Sequence, residues 1–295
     1  MVSYDPVSLT APGAGADAIA TYHDGSGLAP HLSPRPYLHP VRTPSGTVLT
    51  ETYPADHRHH YGVSAAVVDI DGVTYWGGNS YVDGQGYVLL PNQGTQTGPA
   101  PEVSTAGERT VLRQRLSWTG PDGAEQVLED REIKLARLEG VPAHLLTWRS
   151  ALHAPHRDLL IGSPATRGRT GAGYGGLFWR VGPESLTLVR VSTPEGVVAG
   201  EERALGAVGR WLTLTQLRES GPATLLLAQP EGELLPWFVR TTGYVGAGPA
   251  VAWDSLVPLS QGATRTLHLW AALVDAELDA PAADALYRHL EALAA

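Results

Sequence analysis

Runs of alternating apolar and polar residues recur along this sequence and predict a protein built of β-strands. In residues 112–118, Leu112, Leu116 and Trp118 fall on one face, with the period of two that a half-buried strand has. A similar run occupies residues 127–135, and a Gly-Pro-Asp-Gly sequence between the two runs is a strong turn signal. The pattern therefore predicts a hairpin of two long strands.

Further strands are expected along the rest of the chain. An Asp-Gly turn at residues 71–72 predicts a second hairpin. Residues 91–107 lack alternation and predict a loop, either a flap beside a pocket or an ordinary connection. A spacing of about one strand per ten to fifteen residues is typical of a sandwich or barrel. The predicted strands cover residues 61–70, 73–76, 143–151, 159–162, 176–181, 186–191, 210–217, 224–227, 250–256 and 264–272.

One helix is predicted near the C-terminal end. Asp279 can cap it, Pro281 suits its first turn, and a stripe of leucines follows. We expect this helix at about residues 281–293, packed on the outside of the sheets. No internal repeat or clear boundary divides the sequence, so a single domain over residues 1–295 is expected.

Composition narrows the classes of function. Apolar residues make up 43% of the 295, which is enough for a large core. The chain has no cysteine, which excludes disulfides, thiolate metal sites and cysteine nucleophiles. A net charge of -9 argues against a nucleic-acid partner but is compatible with an anion held locally by arginine. Neither a secretory signal nor an apolar stretch of about 18 residues is found, so a cytoplasmic protein is expected.

The densest group of chemically active side chains is Asp56-His57-Arg58-His59-His60. On an extended backbone, His57 and His59 would point one way and His60 the other. Two imidazoles beside Asp56 could form an acid/base pair, because histidine titrates near neutral pH. They could also bind a divalent metal such as zinc or iron with a distant carboxylate. The structural alternative is one histidine bonded to a loop and the others partly exposed.

Four further positions are candidates, each with a structural alternative. Arg35 lies between two prolines, so it could hold a carboxylate or sugar hydroxyls, or pair with a structural carboxylate. Glu129 and Arg131 share an apolar-flanked strand face, where a structural ion pair is the more common outcome. Arg180 follows a glycine-rich segment, and Trp237 could stack on a sugar ring or fill the core.

The order of several short motifs resembles the DUF6807 family, a bacterial family of unknown function that is often labelled methane oxygenase PmoA-like. The likeness runs from about residue 35 to residue 270, and the Asp-His-x-His-His stretch is its most specific part. Asp71 stands where the family usually has asparagine. The motifs are Arg35-Pro36-Tyr37, Pro44-Ser45-Gly46, Pro54-Ala55-Asp56-His57-Arg58-His59-His60, Asp69-Ile70-Asp71-Gly72-Val73-Thr74-Tyr75-Trp76-Gly77, Tyr174-Gly175-Gly176-Leu177 and Pro236-Trp237-Phe238.

The resemblance implies a substrate class. Members of the family tend to accompany sugar dehydrogenases and sugar isomerases, which implies carbohydrate catabolism. The oxygenase label is not carried over, because a particulate methane monooxygenase subunit is an integral membrane protein and this sequence has no membrane-spanning stretch. The resemblance carries over Arg35, His57, His59, His60, Arg180 and Trp237 as candidate site residues.

We therefore expect an all-β fold, a large antiparallel β-sandwich of the galactose-mutarotase-like kind, with a jelly roll as the alternative. The expected function is a carbohydrate-active enzyme of epimerase, lyase or hydrolase type. A non-catalytic carbohydrate-binding or accessory protein and a metal enzyme using His57 and His59 are the alternatives. The expected partner is a sugar or glycoside, without nucleic acid or membrane, and a homodimer is compatible. The acid/base candidates are His57, His59, Glu129 and Asp56, and the ligand-binding candidates are Arg35, His60, Arg180 and Trp237.

Overall fold

The observed fold confirms the predicted all-β sandwich. The computed structural model describes residues 3–12, 17–138, 140–182 and 186–295, and within them the chain forms twenty-two strands. The pairings between strands are antiparallel. In chain order the strands are β1 (Val7–Leu9), β2 (Ala20–His23), β3 (Tyr37–Val41), β4 (Val63–Ala66), β5 (Asp69–Ile70), β6 (Ser80–Val82), β7 (Gly86–Val88), β8 (Thr95–Thr97), β9 (Glu102–Ala106), β10 (Arg109–Thr119), β11 (Glu125–Leu138), β12 (Ala143–His153), β13 (Leu159–Gly162), β14 (Gly176–Arg180), β15 (Leu186–Thr193), β16 (Gly196–Ala199), β17 (Trp211–Leu217), β18 (Ala223–Ala228), β19 (Trp237–Arg240), β20 (Gly246–Pro249), β21 (Val257–Leu259) and β22 (Thr264–Val274).

Two large sheets form the layers of the sandwich. The seven-stranded sheet has the order β1-β2-β3-β4-β14-β20-β19. The ten-stranded sheet has the order β16-β15-β17-β18-β22-β12-β11-β10-β8, and β9 also pairs with β10. A three-stranded sheet, β21-β13-β5, and a separate β6–β7 hairpin complete the pattern. The predicted long hairpin corresponds to β10 and β11, which pair directly.

The core lies between the two large sheets and is built from one face of each. Leu177 and Trp179 of β14 belong to the same buried cluster as Leu146 and Trp148 of β12. Since side chains alternate along a strand, the residues between them face away from the core. Burial of these apolar faces is the main favourable contribution to folding. Each sheet therefore has a second, outer face that something else must cover.

The C-terminal helix covers the outer face of the ten-stranded sheet, as predicted. It runs from Ala280 to Ala294, and the Asp279 carboxylate caps it by accepting a hydrogen bond from the Ala282 amide at 2.9 Å. Leu286 and Leu290 pack with outward residues of the sheet in a second buried cluster. The other helical segments are α1 (Glu201–Ala204) and three 3₁₀ turns at Pro30–Leu32, Ala165–Arg167 and Glu231–Glu233, which makes the C-terminal helix α2.

Three sequence-based predictions of local structure were wrong. Residues 73–76 form no strand after the Asp-Gly turn, because the chain turns away after isolated bridges of Val73 to Ile70 and of Thr74 to Gln93. Residues 250–256 form no strand, because this segment bends around the glycines before β14: the Val251 amide donates to the Gly175 carbonyl at 3.0 Å. Residues 91–107 are not one loop, since they contain β8 and β9. Both short strands pair with β10, whose long edge would otherwise expose unpaired backbone groups.

Among the described residues, no helix is both long enough and apolar enough to cross a membrane.

Candidate functional site

The outer face of the seven-stranded sheet carries the candidate site. On β14, Trp179 points into the core while Phe178 points outward, and on β19 Trp237 points into the core while Phe238 points outward. The two phenylalanines belong to an aromatic cluster outside the sheet. Because successive side chains of a strand point to opposite faces, each strand places a tryptophan in the core and its neighbouring phenylalanine toward the site.

A closed loop between β3 and β4 brings the histidines to this face. An isolated bridge between Thr52 and Tyr61 closes the loop, and the Tyr53 amide donates to the His60 carbonyl at 3.1 Å. Within it the His57 amide donates to the Pro54 carbonyl at 3.0 Å, and the His60 amide donates to the His57 carbonyl at 2.9 Å. The segment is therefore two successive turns rather than an extended strand.

The three imidazole rings consequently lie together. The ring centroids are 4.8 Å apart for His57 and His60, 4.7 Å for His59 and His60, and 5.8 Å for His57 and His59. The expectation that His60 would face away from the other two is wrong, because it assumed an extended backbone. His60 is the most buried of the three, at 2% exposure.

Asp56 and His57 form a hydrogen-bonded pair on the rim of the site. The His57 Nδ1 and Asp56 Oδ2 atoms are 2.6 Å apart. The side chain of His57 keeps 33% of its surface exposed, and that of Asp56 keeps 54%. Burial acts to raise the pKa of Asp56, but the hydrogen bond from His57 and the charges of His57 and Arg180 outweigh it and hold that pKa below its usual range. A carboxylate in this position fixes which ring nitrogen of histidine carries the proton.

His59 and His60 are held in the neutral form. Burial, followed by repulsion from Arg35 and His57, lowers the pKa of His59 to about 3. Burial, followed by repulsion from His59 and His57, lowers the pKa of His60 well below its usual range. The Nδ1 atom of His60 is buried and has no hydrogen-bond partner in the described part of the protein. The site thus contains two neutral imidazoles beside one imidazole that is paired with a carboxylate.

The histidines line a cavity of about 410 Å³, and another part of its wall is mainly aromatic. Trp76, Tyr174, Phe238 and Tyr244 line this wall, and the ring of Tyr244 lies 4.9 Å from that of His57. A cavity in which an apolar surface meets several convergent polar groups is typical of a small-molecule site. A separate cavity of about 320 Å³ near Asp69 and β6 contains no histidine.

Arg35 is behind the site and not in it, so its predicted ligand-binding role is corrected. The buried guanidinium donates to the carbonyls of His59 at 2.8 Å and Trp76 at 2.9 Å, and to the Ser64 hydroxyl at 3.1 Å. It also lies 4.5 Å from the ring centroid of Tyr61. These contacts fix two cavity-lining residues, and burial lowers the pKa of Arg35 to about 10. Arg35 is therefore a positioning residue.

Glu129 makes its hydrogen bonds to residues of the core and not to the histidines, so its predicted acid/base role is corrected. Its carboxylate accepts hydrogen bonds from the Arg131 guanidinium at 2.8 Å, from the Trp118 indole at 2.8 Å and from the Ser150 hydroxyl. Both charged side chains are fully buried. The structural alternative, an ion pair in the core between the sheets, is therefore the observed arrangement.

Trp237 also belongs to the scaffold. It is fully buried, and its indole nitrogen donates to the Gly209 carbonyl at 3.0 Å. It cannot stack on a ligand, and Phe238 occupies the cavity wall instead. Arg180 lies at the edge of the site, 4.9 Å from the ring centroid of Tyr244, with Nε and Nη2 bound to Glu51 at 2.9 and 2.7 Å.

Metal binding was an alternative for the histidine cluster. Within the described residues, no group of three or more histidine, aspartate or glutamate side chains has an arrangement that could hold a metal ion. The ring of His57 is turned toward Asp56 and stacked at 27° on that of His60.

Several cavity residues were missed from the sequence. Tyr174 lies inside the glycine-rich segment that precedes the candidate Arg180. Phe238 directly follows the candidate Trp237. Arg169 lies in an Arg-Gly-Arg-Thr-Gly turn, where arginine among glycines was a usable signal. Tyr244 occurs in an ordinary turn and gave no such signal.

Comparison with known proteins identifies the family. The model of DUF6807, a family of unknown function, matches residues 12–288. The chain belongs to the DUF6807 family. No curated protein matches the chain.

A distant similarity to a solved structure adds no functional information. The crystal structure of a TPR-domain containing protein from Parabacteroides distasonis is similar with a TM-score of 0.26 and 11% identity, over 89% of this chain and 44% of that chain. The chain thus spans less than half of the length of that structure. A similarity of this size carries no argument about the fold or the site.

Proposed function

We propose that this DUF6807 protein is an enzyme that transfers a proton on a sugar or glycoside derivative. The observation that supports this is the Asp56–His57 pair, 2.6 Å apart, on the rim of a cavity with an aromatic wall. With His57 Nδ1 donating to the carboxylate, Nε2 keeps a lone pair and can act as a general base. The aromatic rings give a sugar the apolar surface on which its C–H face can lie.

The proposed step begins with a C–H proton on the carbon beside a carbonyl group, as in the open-chain or keto form of the sugar. His57 takes this proton, and the electron pair left on carbon moves toward the carbonyl oxygen. The ring N–H of neutral His59 or His60 can donate a hydrogen bond to that oxygen. Return of the proton to the opposite face of the carbon gives epimerisation, whereas loss of an alkoxide from the next carbon, which takes the proton from His57 and leaves as the alcohol, gives elimination. Hydrolysis of a glycoside by the same pair is the third variant of this proposal.

Two further expectations belong to the proposal. A galactose-mutarotase-like arrangement of the sandwich would match a sugar substrate, and the antiparallel sheets support it only in outline. A cytoplasmic location would match the absence of cysteine from all 295 residues.

The test is proton exchange in D₂O followed by NMR, together with release of the alcohol from aryl glycosides, for a panel of aldoses, ketoses and glycosides. His57→Ala should reduce the rate about 100- to 10,000-fold and leave the melting temperature almost unchanged, because His57 is partly exposed. His156→Ala is the matched control, since His156 is exposed and pairs with Glu125 outside the cavity.

The alternatives give different results in the same experiment. Wild-type protein that binds sugars without exchange or release, and with affinity independent of pH between about 5.5 and 7.5, would show a binding protein and not an enzyme. Activity that disappears with a chelator and returns with zinc or iron would replace the proposal with a metal enzyme. A large fall in the melting temperature of His57→Ala would show a structural histidine.

A further inference from the structure

The histidine cavity is surrounded by an excess of positive charge, although the protein as a whole is acidic. The chain has a net charge of -9, yet Arg169 and Arg240 line the cavity, and Arg35 and Arg180 contact residues of its walls. Arg180 and Arg240 are each paired with a glutamate, at 2.7 and 3.4 Å. The unpaired positive charge of the site therefore comes from the other two arginines, and Arg240 adds N–H donors to the cavity although Glu201 offsets its charge.

Arg35 and Arg169 have no carboxylate partner among the described residues. Arg35 is 2% exposed and bonds only to carbonyl oxygens and one hydroxyl. Arg169 is exposed on the cavity rim, where it donates to the Tyr87 hydroxyl and lies 5.0 Å from the centroid of that ring. A buried cation without a counter-ion is unfavourable, so a negative charge in the cavity would offset the charge of buried Arg35. The exposed guanidinium of Arg169 lies on the rim, where an anion can contact it directly.

The lining also limits how much negative charge the cavity accepts. Asp56 is the one carboxylate among the residues that line it, and the hydrogen bond from His57 helps keep its pKa low and its charge in place. A ligand with two negative charges would approach this carboxylate at a cost. A single carboxylate group meets Arg169 and Arg240 without bringing a second charge toward Asp56, and guanidinium suits carboxylate in shape as well as charge.

Tyr244 connects this charged rim with the aromatic wall. Burial, opposed by the charges of Arg240, Arg180 and Arg169, raises the pKa of Tyr244 to about 12, so its hydroxyl lies in the field of three cations. Its ring is also 4.9 Å from that of His57. An anionic group and an apolar ring face can therefore be held on adjacent parts of one wall.

We infer that the cavity binds a sugar that carries one carboxylate group, a uronic acid or its glycoside, with Arg169 and Arg240 holding the carboxylate. The sugar part of this assignment rests on the proposed function, whereas the charge part rests on the arginines alone. Arg169 is then a specificity-determining residue that distinguishes a uronic acid from a neutral sugar. The Asp56–His57 pair would act on the same ring.

Calorimetric titration tests the inference without any need for turnover. The probes are the methyl glycosides of glucuronic and galacturonic acid, their neutral methyl esters, and the methyl glycosides of glucose and galactose. At least one uronide should bind about 10- to 100-fold more tightly than its ester and its neutral sugar. Arg169→Gln should remove that difference, while Arg288→Gln, which removes the same charge from the exposed face of α2, should keep it.

The outcomes separate this inference from the proposed function. Equal affinity for uronides and neutral sugars, no binding of any uronide, or equal behaviour of the two arginine variants would overturn the carboxylate assignment. Benzoate that binds as tightly as the uronide would overturn the sugar part. Uronide binding that depends on Arg169 and persists in His57→Ala supports the inference, and if wild-type protein then shows no exchange or release, only the enzymatic proposal fails.

Discussion

Two polar clusters of this protein lie among apolar side chains, and they differ in how completely their atoms are paired. In the core, both oxygens of the Glu129 carboxylate accept hydrogen bonds, from Arg131, Trp118 and Ser150. Arg131 in turn donates to the hydroxyl of Tyr22 at 2.8 Å. This cluster is closed, and nothing in it is accessible to a ligand.

The histidine cavity is the opposite case. The Nδ1 atom of His60 and the Nη1 atom of Arg180 are buried without a partner in the described part of the chain, and Arg35 has no counter-ion there. Buried polar groups are normally satisfied, so incomplete pairing at a cavity points to a ligand rather than to stability alone. Among the described residues, two other unpaired buried atoms, of Thr213 and Arg265, do not line this cavity. The candidate site is therefore marked by unpaired atoms and a cavity together, and not by burial of charge alone.

The largest expected effect concerns the closed cluster. Glu129→Ala leaves the Arg131 guanidinium buried without its carboxylate, which should reduce the free energy of unfolding by about 3–5 kcal/mol. Urea titration measures this loss. Asp130→Ala is the matched control: Asp130 is the next residue on the same strand, but its pair with Arg115 is exposed, so the loss should stay below about 1 kcal/mol. Similar losses in both variants would contradict the distinction between the clusters.

A smaller effect is expected where the backbone supports the histidines. Gly78 has φ of +70°, and a Cβ atom there would lie 2.8 Å from the His59 Nδ1 atom. Gly84 has φ of +72° with nothing within 4 Å of the added atom. Alanine at either position should cost about 1–2 kcal/mol, because both adopt a left-handed backbone. Gly78→Ala alone should also displace the His59 ring.

Ligand binding separates these two glycine variants. The affinity for the uronide probe should fall in Gly78→Ala and stay unchanged in Gly84→Ala when each is measured well below its melting temperature. Equal affinity in both variants would show that the position of His59 does not matter to the cavity.

Much of the fold could be predicted from the sequence, because alternation and turn residues are local signals. The β10–β11 hairpin, the strand Leu159–Gly162 and helix α2 were all placed within a few residues. The short strands before residue 60 were not predicted, since three to five residues are too few to show a period. The strand predicted at 250–256 failed because contacts with a distant segment overrode its composition.

The candidate site was predicted less completely, for a physical reason. The histidine run could be recognised because its composition is unusual. The predicted direction of the His60 side chain was wrong, because the segment forms turns and not an extended backbone. Trp237 and Phe238 show the same limit: the sequence indicates that they alternate, but not which face meets the core. Glu129 was a candidate as a charge on an apolar-flanked strand face, and Arg35 as an arginine between two prolines. Only their three-dimensional partners show that the charge of Glu129 is neutralised and that of Arg35 is not.

The smallest expected effect is a change in how stability depends on pH. In the folded protein burial lowers the pKa of His59 to about 3, whereas an unfolded histidine titrates at about 6.5. Below about pH 6.5 the unfolded chain therefore binds a proton that the folded protein does not, and the free energy of unfolding falls as the pH decreases toward 3. One such histidine contributes a slope of at most about 1.4 kcal/mol per pH unit.

Urea titrations at pH 7, 6 and 5 measure this slope in wild-type protein and in His59→Gln. The variant should lose stability less steeply below pH 6.5, whatever its stability at pH 7, because the residue that takes up the proton on unfolding is gone. His156→Gln should keep the wild-type slope, since His156 is exposed in the folded protein as well. An unchanged slope in His59→Gln would mean that His59 is already protonated in the folded protein. The histidine cavity would then carry one more positive charge than a neutral His59 gives it.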